Sequence, residues 1–428
     1  MLQIFQNKTY TKLVCAAFTS QIGSNIGVTA FTLFILSKFS EQPYWATITE
    51  LMYVLPILVV FFLVGTVADR FDRQKIAYYS DLICLGITLL LLLAVKIEWM
   101  PLILILLFAR KAVSSFFQPA ETALVQGILK KEEYVISAGI NQMMYSLMGI
   151  FGKGVGVFIY WIAGIEGAII IDAISFIISF LLIISCKFSE EVRLPNGKHS
   201  LKQLNLKLVA GDYMEGIKYV TNFKLLLSLI MGYLIMGAIN ASYSILPIFL
   251  LKYKLVPTEY EYWAVWEGVA IGVGIVLGVF CMGKLAKKLE KYQLLLFGLG
   301  ATGTLTILIA YSANQYWLML FLFISSFFLP AVNMGMGGWL QTLIDPKFRG
   351  RVQGCIQPIM TISHVVMLGV ITLSFPVFVG ADHLFASAGC MLLGLGIIQA
   401  IRLPKLVREY EKKTKSKKQN ELAISQVS

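Results

Sequence analysis

Charged residues are scarce in this chain. Asp, Glu, Lys and Arg together make up 14% of its 428 residues, whereas a soluble domain carries about a quarter. Hydrophobic residues make up 57%, and the mean hydropathy is +0.76. A chain of this size with so few charged residues cannot form a polar surface. The composition therefore argues against an aqueous globular fold.

Clustered cysteines and catalytic motifs are also absent. The six cysteines fall singly, which indicates neither a disulfide framework nor a zinc site. The sequence has no Gly-Lys-Ser/Thr phosphate-binding loop, no nucleophile–base arrangement and no metal-ligand spacing. We therefore expect no enzyme activity, no cofactor, no bound metal and no ATPase subunit.

Long apolar runs are what the chain has instead. Twelve runs approach the roughly 20 residues that a helix needs to cross a bilayer, and backbone in lipid must satisfy its own hydrogen bonds. We predict an all-α membrane protein with twelve transmembrane helices in two six-helix repeats. The expected spans are about 11–37, 44–67, 76–95, 100–125, 136–160, 163–187, 221–250, 262–283, 293–312, 316–342, 352–379 and 383–403.

The positions of the basic residues predict the orientation. The net charge is +12, yet only Lys38, Lys96, Lys252 and Lys254 fall in odd-numbered loops. Basic residues stay on the cytoplasmic side, so we expect a multi-pass protein of the cytoplasmic membrane with both termini inside. This placement favours contact with membrane lipids and argues against a nucleic-acid partner.

Matched patches divide the chain into two halves. Tyr44-Trp45-Ala46 recurs as Tyr262-Trp263-Ala264, and Ser114-Ser-Phe-Phe-Gln-Pro119-Ala120 recurs as Ser325-Ser-Phe-Phe-Leu-Pro330-Ala331. Parallel repeats of six helices are typical of transporters. We predict an N-terminal bundle (1–187), a cytoplasmic linker (188–220), a C-terminal bundle (221–403) and a basic cytoplasmic tail (404–428). Within the linker we expect a surface helix over about 201–219.

A charged loop separates the second and third spans. Gly65 is followed four residues later by Asp69-Arg70 and then by Arg73. With twelve spans in two repeats, this pattern resembles the signature loop of the major facilitator superfamily. The next position holds Gln74 where a basic residue is usual. The resemblance implies that Gly65, Asp69, Arg70 and Arg73 form a cytoplasmic gate.

Further patches resemble the drug:proton antiporter branch, which includes macrolide exporters and the enterobactin exporter. They are Arg110, Phe116-Phe-Gln-Pro119-Ala120, Ile171-Asp172-Ala173 and Glu215-Gly216-Ile-Lys-Tyr219. The resemblance implies export of an amphiphilic small molecule by alternating access, driven by the proton gradient. It also implies a role in proton coupling for Arg110.

Ionisable residues within spans mark candidate functional positions, because a charge in the bilayer is costly. We expect Glu50 to act with Arg110 in proton coupling. The matching acid, Glu267, is interpreted as hydrated by the outer vestibule. Asp172 fits the start of span six, and His364 fits a lone core histidine.

Five further residues are expected to line the substrate cavity: Lys153, Lys111, Asn141, Gln142 and Gln357. Three cations in the first half, the two lysines and Arg110, leave open the export of a native siderophore or other metallophore. A nutrient symporter and a non-transporting membrane sensor are further alternatives. We expect the protein to be monomeric.

Overall fold

The computed structural model describes residues 2–130, 133–194, 206–344 and 349–427. Within these ranges the regular elements are all helices, and no β-strand occurs. The α-helices are α1 (Lys8–Lys38), α2 (Tyr44–Arg70), α3 (Arg73–Ile97), α4 (Met100–Ser114), α5 (Phe117–Ile128), α6 (Tyr134–Ile184), α7 (Glu190–Arg193), α8 (Leu206–Asn222), α9 (Lys224–Leu250), α10 (Tyr260–Leu285), α11 (Lys291–Ala310), α12 (Gln315–Leu343), α13 (Arg349–Ser374) and α14 (Ala381–Val427). The prediction of an all-α protein is confirmed.

Ten segments of the described chain are long and apolar enough to cross a membrane. They are Tyr44–Phe61, Arg73–Ile97, Met100–Ile128, Gly154–Ile184, Lys224–Leu255, Tyr260–Leu285, Lys291–Ala310, Gln315–Leu340, Cys355–Ser374 and Ala381–Tyr410. The other two predicted spans, 11–37 and 136–160, lie on α1 and on the first part of α6, which are both helical. The protein is therefore a multi-pass membrane protein, and the count of twelve spans stays a prediction.

Gly164 divides the long helix α6 into two arms. Its φ of 64° and ψ of −170° are non-helical, and only glycine adopts such a backbone conformation without a steric penalty. The break lies at the second residue of the predicted span 163–187, just after the predicted gap at 161–162. One glycine thus turns 51 helical residues into two segments.

The predicted fourth span is also divided, between α4 and α5. Pro119 has no N–H to continue the helical ladder. The hydroxyls of Ser114 and Ser115 both donate to the carbonyl of Lys111, at 3.0 and 2.8 Å, and such back-bonding bends helices. The repeated motif in the second half behaves differently, since α12 runs through Pro330 without a break.

The chain forms two compact units, each built from separate segments of the sequence. The first comprises Met1–Val209, Ala241–Gly272 and His364–Ala381. Part of its core joins Leu13 of α1 to Leu124 of α5 and Ile183 of α6, all fully buried. The second comprises Ala210–Asn240, Val273–Ser363 and Asp382–Ser428.

Part of the second unit's core joins Leu226 of α9, Leu340 of α12 and Val352 of α13. The predicted division into 1–187, 188–220, 221–403 and 404–428 stays a prediction.

The regions predicted as linker and tail contain α7, α8 and the last part of α14. The expected surface helix over about 201–219 is α8, which begins at Leu206, while residues 201–205 lie outside the described part. The turn signal Pro195-Asn196-Gly197 lies there as well. The last predicted span continues as α14 through Pro404 to Val427, so the basic tail is helical over most of its length.

Candidate functional site

Arg110 on α4 forms an ion pair with Asp172 on α6. The guanidinium Nη1 donates to the carboxylate Oδ2, and the two side chains are only 4% and 1% exposed. A buried charge is tolerated when a partner of opposite sign and hydrogen bonds compensate for the lost hydration. The pair therefore lets two charges reside among apolar helices.

The sequence-based interpretation of Asp172 is wrong. Asp172 lies about two turns beyond the break at Gly164, so it does not sit at the start of a helix. Its carboxylate is the partner of Arg110, a pairing that spacing along the sequence does not predict.

Helix α1 approaches the ion pair through glycines. A Cβ added at Gly27 would lie 3.0 Å from Asp172 Oδ2 and 3.6 Å from Arg110 Nη1. One turn earlier, a Cβ at Gly23 would lie 2.0 Å from Ser175 Oγ. Small residues let helix backbones come close together, so α1 closes one side of the pair without a side chain.

Helix α2 brings a third polar residue towards Arg110. Tyr53 is buried, and its hydroxyl lies within electrostatic range of both Arg110 and Glu50. Glu50, one turn earlier on α2, is half-buried. The predicted partners in proton coupling thus share a neighbour, and the coupling itself stays a prediction.

Lys111 and Cys84 adjoin the same site. Lys111, half-buried on α4, lies within electrostatic range of Arg110 and of Cys84 on α3. The Cys84 thiol donates to the carbonyl oxygen of Arg110 at 3.5 Å. Helix α3 therefore contacts the backbone at the position that carries the buried cation.

The remaining cavity candidates are spread along two helices. Lys153 and Gln142 belong to the first arm of α6, and their side chains lie outside the described part of the structure. Asn141 is half-buried on the same arm, whereas Gln357 is exposed on α13. Their role in lining a cavity stays a prediction.

The charged loop is a tight connection between α2 and α3. Asp72 caps α3 by accepting hydrogen bonds from the backbone N–H groups of Gln74 and Lys75, at 3.1 and 3.2 Å. The gate candidates Gly65, Asp69 and Arg70 lie on the last turns of α2, and the side chains of Asp69 and Arg70 are outside the described part.

The position that departs from the superfamily pattern has a structural use. Gln74 is buried, and its side-chain amide donates to the carbonyls of Ile183 and Cys186, at 3.0 and 2.9 Å. Carbonyls at a helix C-terminus lack partners within the helix. Gln74 thus caps the end of α6, which a lysine or arginine could do only by bringing its charge into a buried site.

Asp72 also binds the short helix α7. Arg193 donates through Nε to Oδ1 at 3.2 Å and through Nη2 to Oδ2, the fork-like geometry that favours arginine–carboxylate pairs. The hydrogen bond to Asp72 raises the pKa of the Arg193 guanidinium, so the pairing favours the charged form. Arg73 adds a 3.5 Å bond to the carbonyl of Val192. Helix α7, which follows the sixth predicted span, is therefore bound to the charged loop.

Lys252 caps the C-terminal end of α1. It lies in a π-helical turn (Leu251–Leu255) after α9, is 8% exposed and donates through Nζ to the carbonyl of Leu36. The ring centroids of Tyr253 and Tyr260 lie 5.8 and 4.6 Å from Nζ, within range of a cation–π interaction. Residues from the second half of the sequence thus satisfy the end of the first helix.

A family model described as Major Facilitator Superfamily matches residues 13–368. The chain belongs to the Major Facilitator Superfamily. It is 40% identical to the uncharacterized MFS-type transporter YkuC of Bacillus subtilis, over 94% of each chain. This superfamily member is accordingly a transporter rather than an enzyme.

More distant relatives extend the comparison. Macrolide efflux protein A of Streptococcus pyogenes is 23% identical over 86% of this chain and 89% of that protein. Among solved structures, a POT family transporter in complex with 5-aminolevulinic acid matches with a TM-score of 0.73 and 14% identity, over 93% of this chain and 96% of that one. The structural match shows that the fold is shared.

Proposed function

We propose that this superfamily member exports an amphiphilic small molecule of the macrolide type across the cytoplasmic membrane in exchange for protons. The observation that carries the proposal is the buried ion pair between Arg110 and Asp172. Ionisable residues inside membrane segments usually mark substrate or proton pathways. The likeness to macrolide efflux protein A supports the substrate class.

The ion pair offers a simple route to coupling. A proton that binds the Asp172 carboxylate removes its negative charge, and Arg110 then loses its counter-ion. The guanidinium is free to attract another acceptor, such as Glu50 or a polar group of the substrate. Proton binding and substrate binding can alternate in this way at one position.

Alternating access requires closure on either side in turn. We assign Gly65, Asp69, Arg70 and Arg73 to the gate on the cytoplasmic side. On the other side we assign closure to Lys252, which connects α9 to the end of α1. In this proposal α1 and the first arm of α6 also span the membrane, both termini are cytoplasmic, and the monomer uses the proton gradient without an ATPase subunit.

Export of an anionic metallophore is the second candidate. Its basis in the sequence is the set of three cations Arg110, Lys111 and Lys153. Asp172 balances the charge of Arg110, so at most two uncompensated cations remain to attract an anion. This reduces the electrostatic support for the metallophore relative to the macrolide.

Everted membrane vesicles test the proposal, with radiolabelled erythromycin as the probe. We expect energised vesicles to accumulate it, and we expect both an uncoupler and the Arg110→Ala variant to stop accumulation. Arg402→Ala, which alters an exposed arginine, is the matched control and should leave uptake unchanged.

The same vesicles separate the alternatives. Uptake of an iron-free catecholate siderophore without uptake of erythromycin would favour metallophore export. Uptake only in right-side-out vesicles would favour a nutrient symporter, and no flux of any probe in either orientation would favour a sensor.

A further inference from the structure

A second buried acid, Asp81, lies on α3 and has different partners from Asp172. The Asp81 side chain is 2% exposed. Its Oδ1 accepts a hydrogen bond from Ser20 Oγ at 3.3 Å, and its Oδ2 accepts one from Ser179 Oγ at 2.5 Å. Three helices, α1, α3 and α6, therefore each contribute one polar side chain to the same buried cluster.

Asp81 has no ion-pair partner in the part of the chain that the structure describes. Asp172 has the guanidinium of Arg110, whereas the two groups that bind Asp81 are neutral hydroxyls. A desolvated carboxylate without a cation is costly. A permanent negative charge on Asp81, between three membrane helices, would therefore destabilise the fold.

The two hydroxyls suit an acid that changes its protonation state. A serine hydroxyl can donate to a carboxylate and can also rotate to accept from a carboxylic acid. Ser20 and Ser179 can therefore satisfy Asp81 in both states without leaving a buried polar atom unpaired. A lysine or arginine partner would satisfy the charged state alone.

The surroundings connect this cluster to the ion pair. Around Asp81, α1 and α6 contribute the neutral hydroxyls of Ser20 and Ser179, and α3 contributes the titratable thiol of Cys84. Cys84, one turn beyond Asp81, lies within electrostatic range of Asp81, Arg110 and Lys111. Its thiol donates to the Arg110 carbonyl.

The depth of Asp81 is intermediate. It lies eight residues after Arg73, the first residue of α3, and the rise of 1.5 Å per residue places it about 12 Å from the charged loop. Asp172 lies twelve residues before the end of α6 at Ile184, or about 18 Å along that helix. The start of α3 and the end of α6 lie on the same side, since Gln74 bonds to Ile183. Asp81 therefore lies closer to the charged loop than Asp172 does.

We propose that Asp81, with Ser20 and Ser179, is a proton-binding site on the route between the charged-loop side and the Arg110–Asp172 pair. The proton binds a carboxylate oxygen of Asp81 as an O–H group and leaves from the same atom. This inference deepens the proposed function, because it names an acid that takes part in the exchange of protons. Binding of the proton does not depend on which molecule is exported.

Infrared difference spectroscopy of the purified protein in lipid bilayers tests the site without any substrate. Titration of the wild type over pH reveals the carbonyl band of each protonated carboxyl group. Asp81→Asn keeps a side chain that can bond to both hydroxyls but cannot ionise, so it should remove one titrating band. Glu166→Gln, which removes an exposed carboxyl, is the matched control and should leave that band in place.

A second variant keeps the test decisive if Asp81→Asn does not fold. Ser179→Ala keeps Asp81 and deletes the closer hydroxyl, so the same band should remain but titrate with a shifted midpoint. A spectrum of folded Asp81→Asn identical to that of the wild type at every pH would overturn the proposal. So would an unshifted midpoint in Ser179→Ala.

The vesicle assay with erythromycin tests the link to transport. Asp81→Asn should lose the uncoupler-sensitive part of erythromycin uptake, whereas Glu166→Gln should retain it. Wild-type rates in Asp81→Asn would overturn the coupling role. If the wild type itself does not move erythromycin but the Asp81 band titrates, the substrate proposal fails while the proton site stands.

Discussion

The guanidinium of Arg110 and the carboxylate of Asp172 are bound to each other, although 62 positions separate them in the sequence. Each is almost completely shielded from solvent. Because removal of one partner leaves the other charge buried and uncompensated, a single substitution at such a pair costs about 3–5 kcal/mol.

Changing one member of this pair should therefore destabilise the protein. We expect Asp172→Asn to lower the midpoint of thermal unfolding, measured in detergent by intrinsic fluorescence. The double variant Arg110→Leu with Asp172→Leu should recover most of the stability, since apolar residues can replace a buried pair, yet it should not transport. If Asp172→Asn unfolded at the wild-type temperature, the charge at Arg110 would have to be compensated elsewhere.

The glycine on α1 at position 23 should not tolerate a methyl group. The new Cβ of Gly23→Ala would lie 2.5 Å from the Cβ of Ser175, and overpacking of this kind costs about 1–3 kcal/mol. Gly86→Ala is the matched control, because nothing lies within 4 Å of its new Cβ. We expect lower thermal stability in the first variant alone, and equal stability of the two would show that α1 and α6 can move apart freely.

Loss of Arg193 should loosen the charged loop. Arg193→Ala removes both bonds to Asp72, so backbone amides around the start of α3 should exchange faster with deuterium in a mass-spectrometric experiment. Arg193→Lys should restore only part of the protection, because a lysine cannot reproduce the two-pronged geometry. Unchanged exchange in Arg193→Ala would mean that the cap of Asp72 on α3 holds the loop unaided.

Replacement of Lys252 should release the end of α1. Lys252→Met keeps the length of the side chain but cannot donate to the Leu36 carbonyl. We expect faster deuterium exchange at residues 36–40 and slower transport, because closure on that side weakens. Lys96→Met, which alters an exposed lysine, should change neither quantity, and equal behaviour of the two variants would remove the assignment of closure to Lys252.

The sequence was sufficient to predict the helices because apolar length alone determines where a chain can cross a bilayer. The break at Gly164 lies two residues after the gap between the predicted spans 136–160 and 163–187. The break after Ser114 was missed, because it depends on two hydroxyls that bond back to Lys111. The repeated motif in α12 has the same serines and proline but remains helical, so the motif alone does not determine the bend.

The pairings of the candidate site could not be predicted in the same way. The sequence marks Arg110 as a candidate, but its partner depends on how α6 packs beside α4, and spacing along the chain gives no such information. The sequence alone does not distinguish Asp81 from the charged residues of the loop nearby. The available signal is its position: an acid two turns inside a membrane helix requires a partner in three dimensions.

The bonds that Asp72 and Gln74 make have a consequence for cutting the chain in two. A first fragment that stopped at residue 187 would keep both side chains but lose Arg193, which forms an ion pair with Asp72. A fragment that stopped after Leu194 would keep α7 and all of these bonds. Two co-expressed fragments should therefore reassemble more readily when the break lies after Leu194 than when it lies at the end of the sixth span.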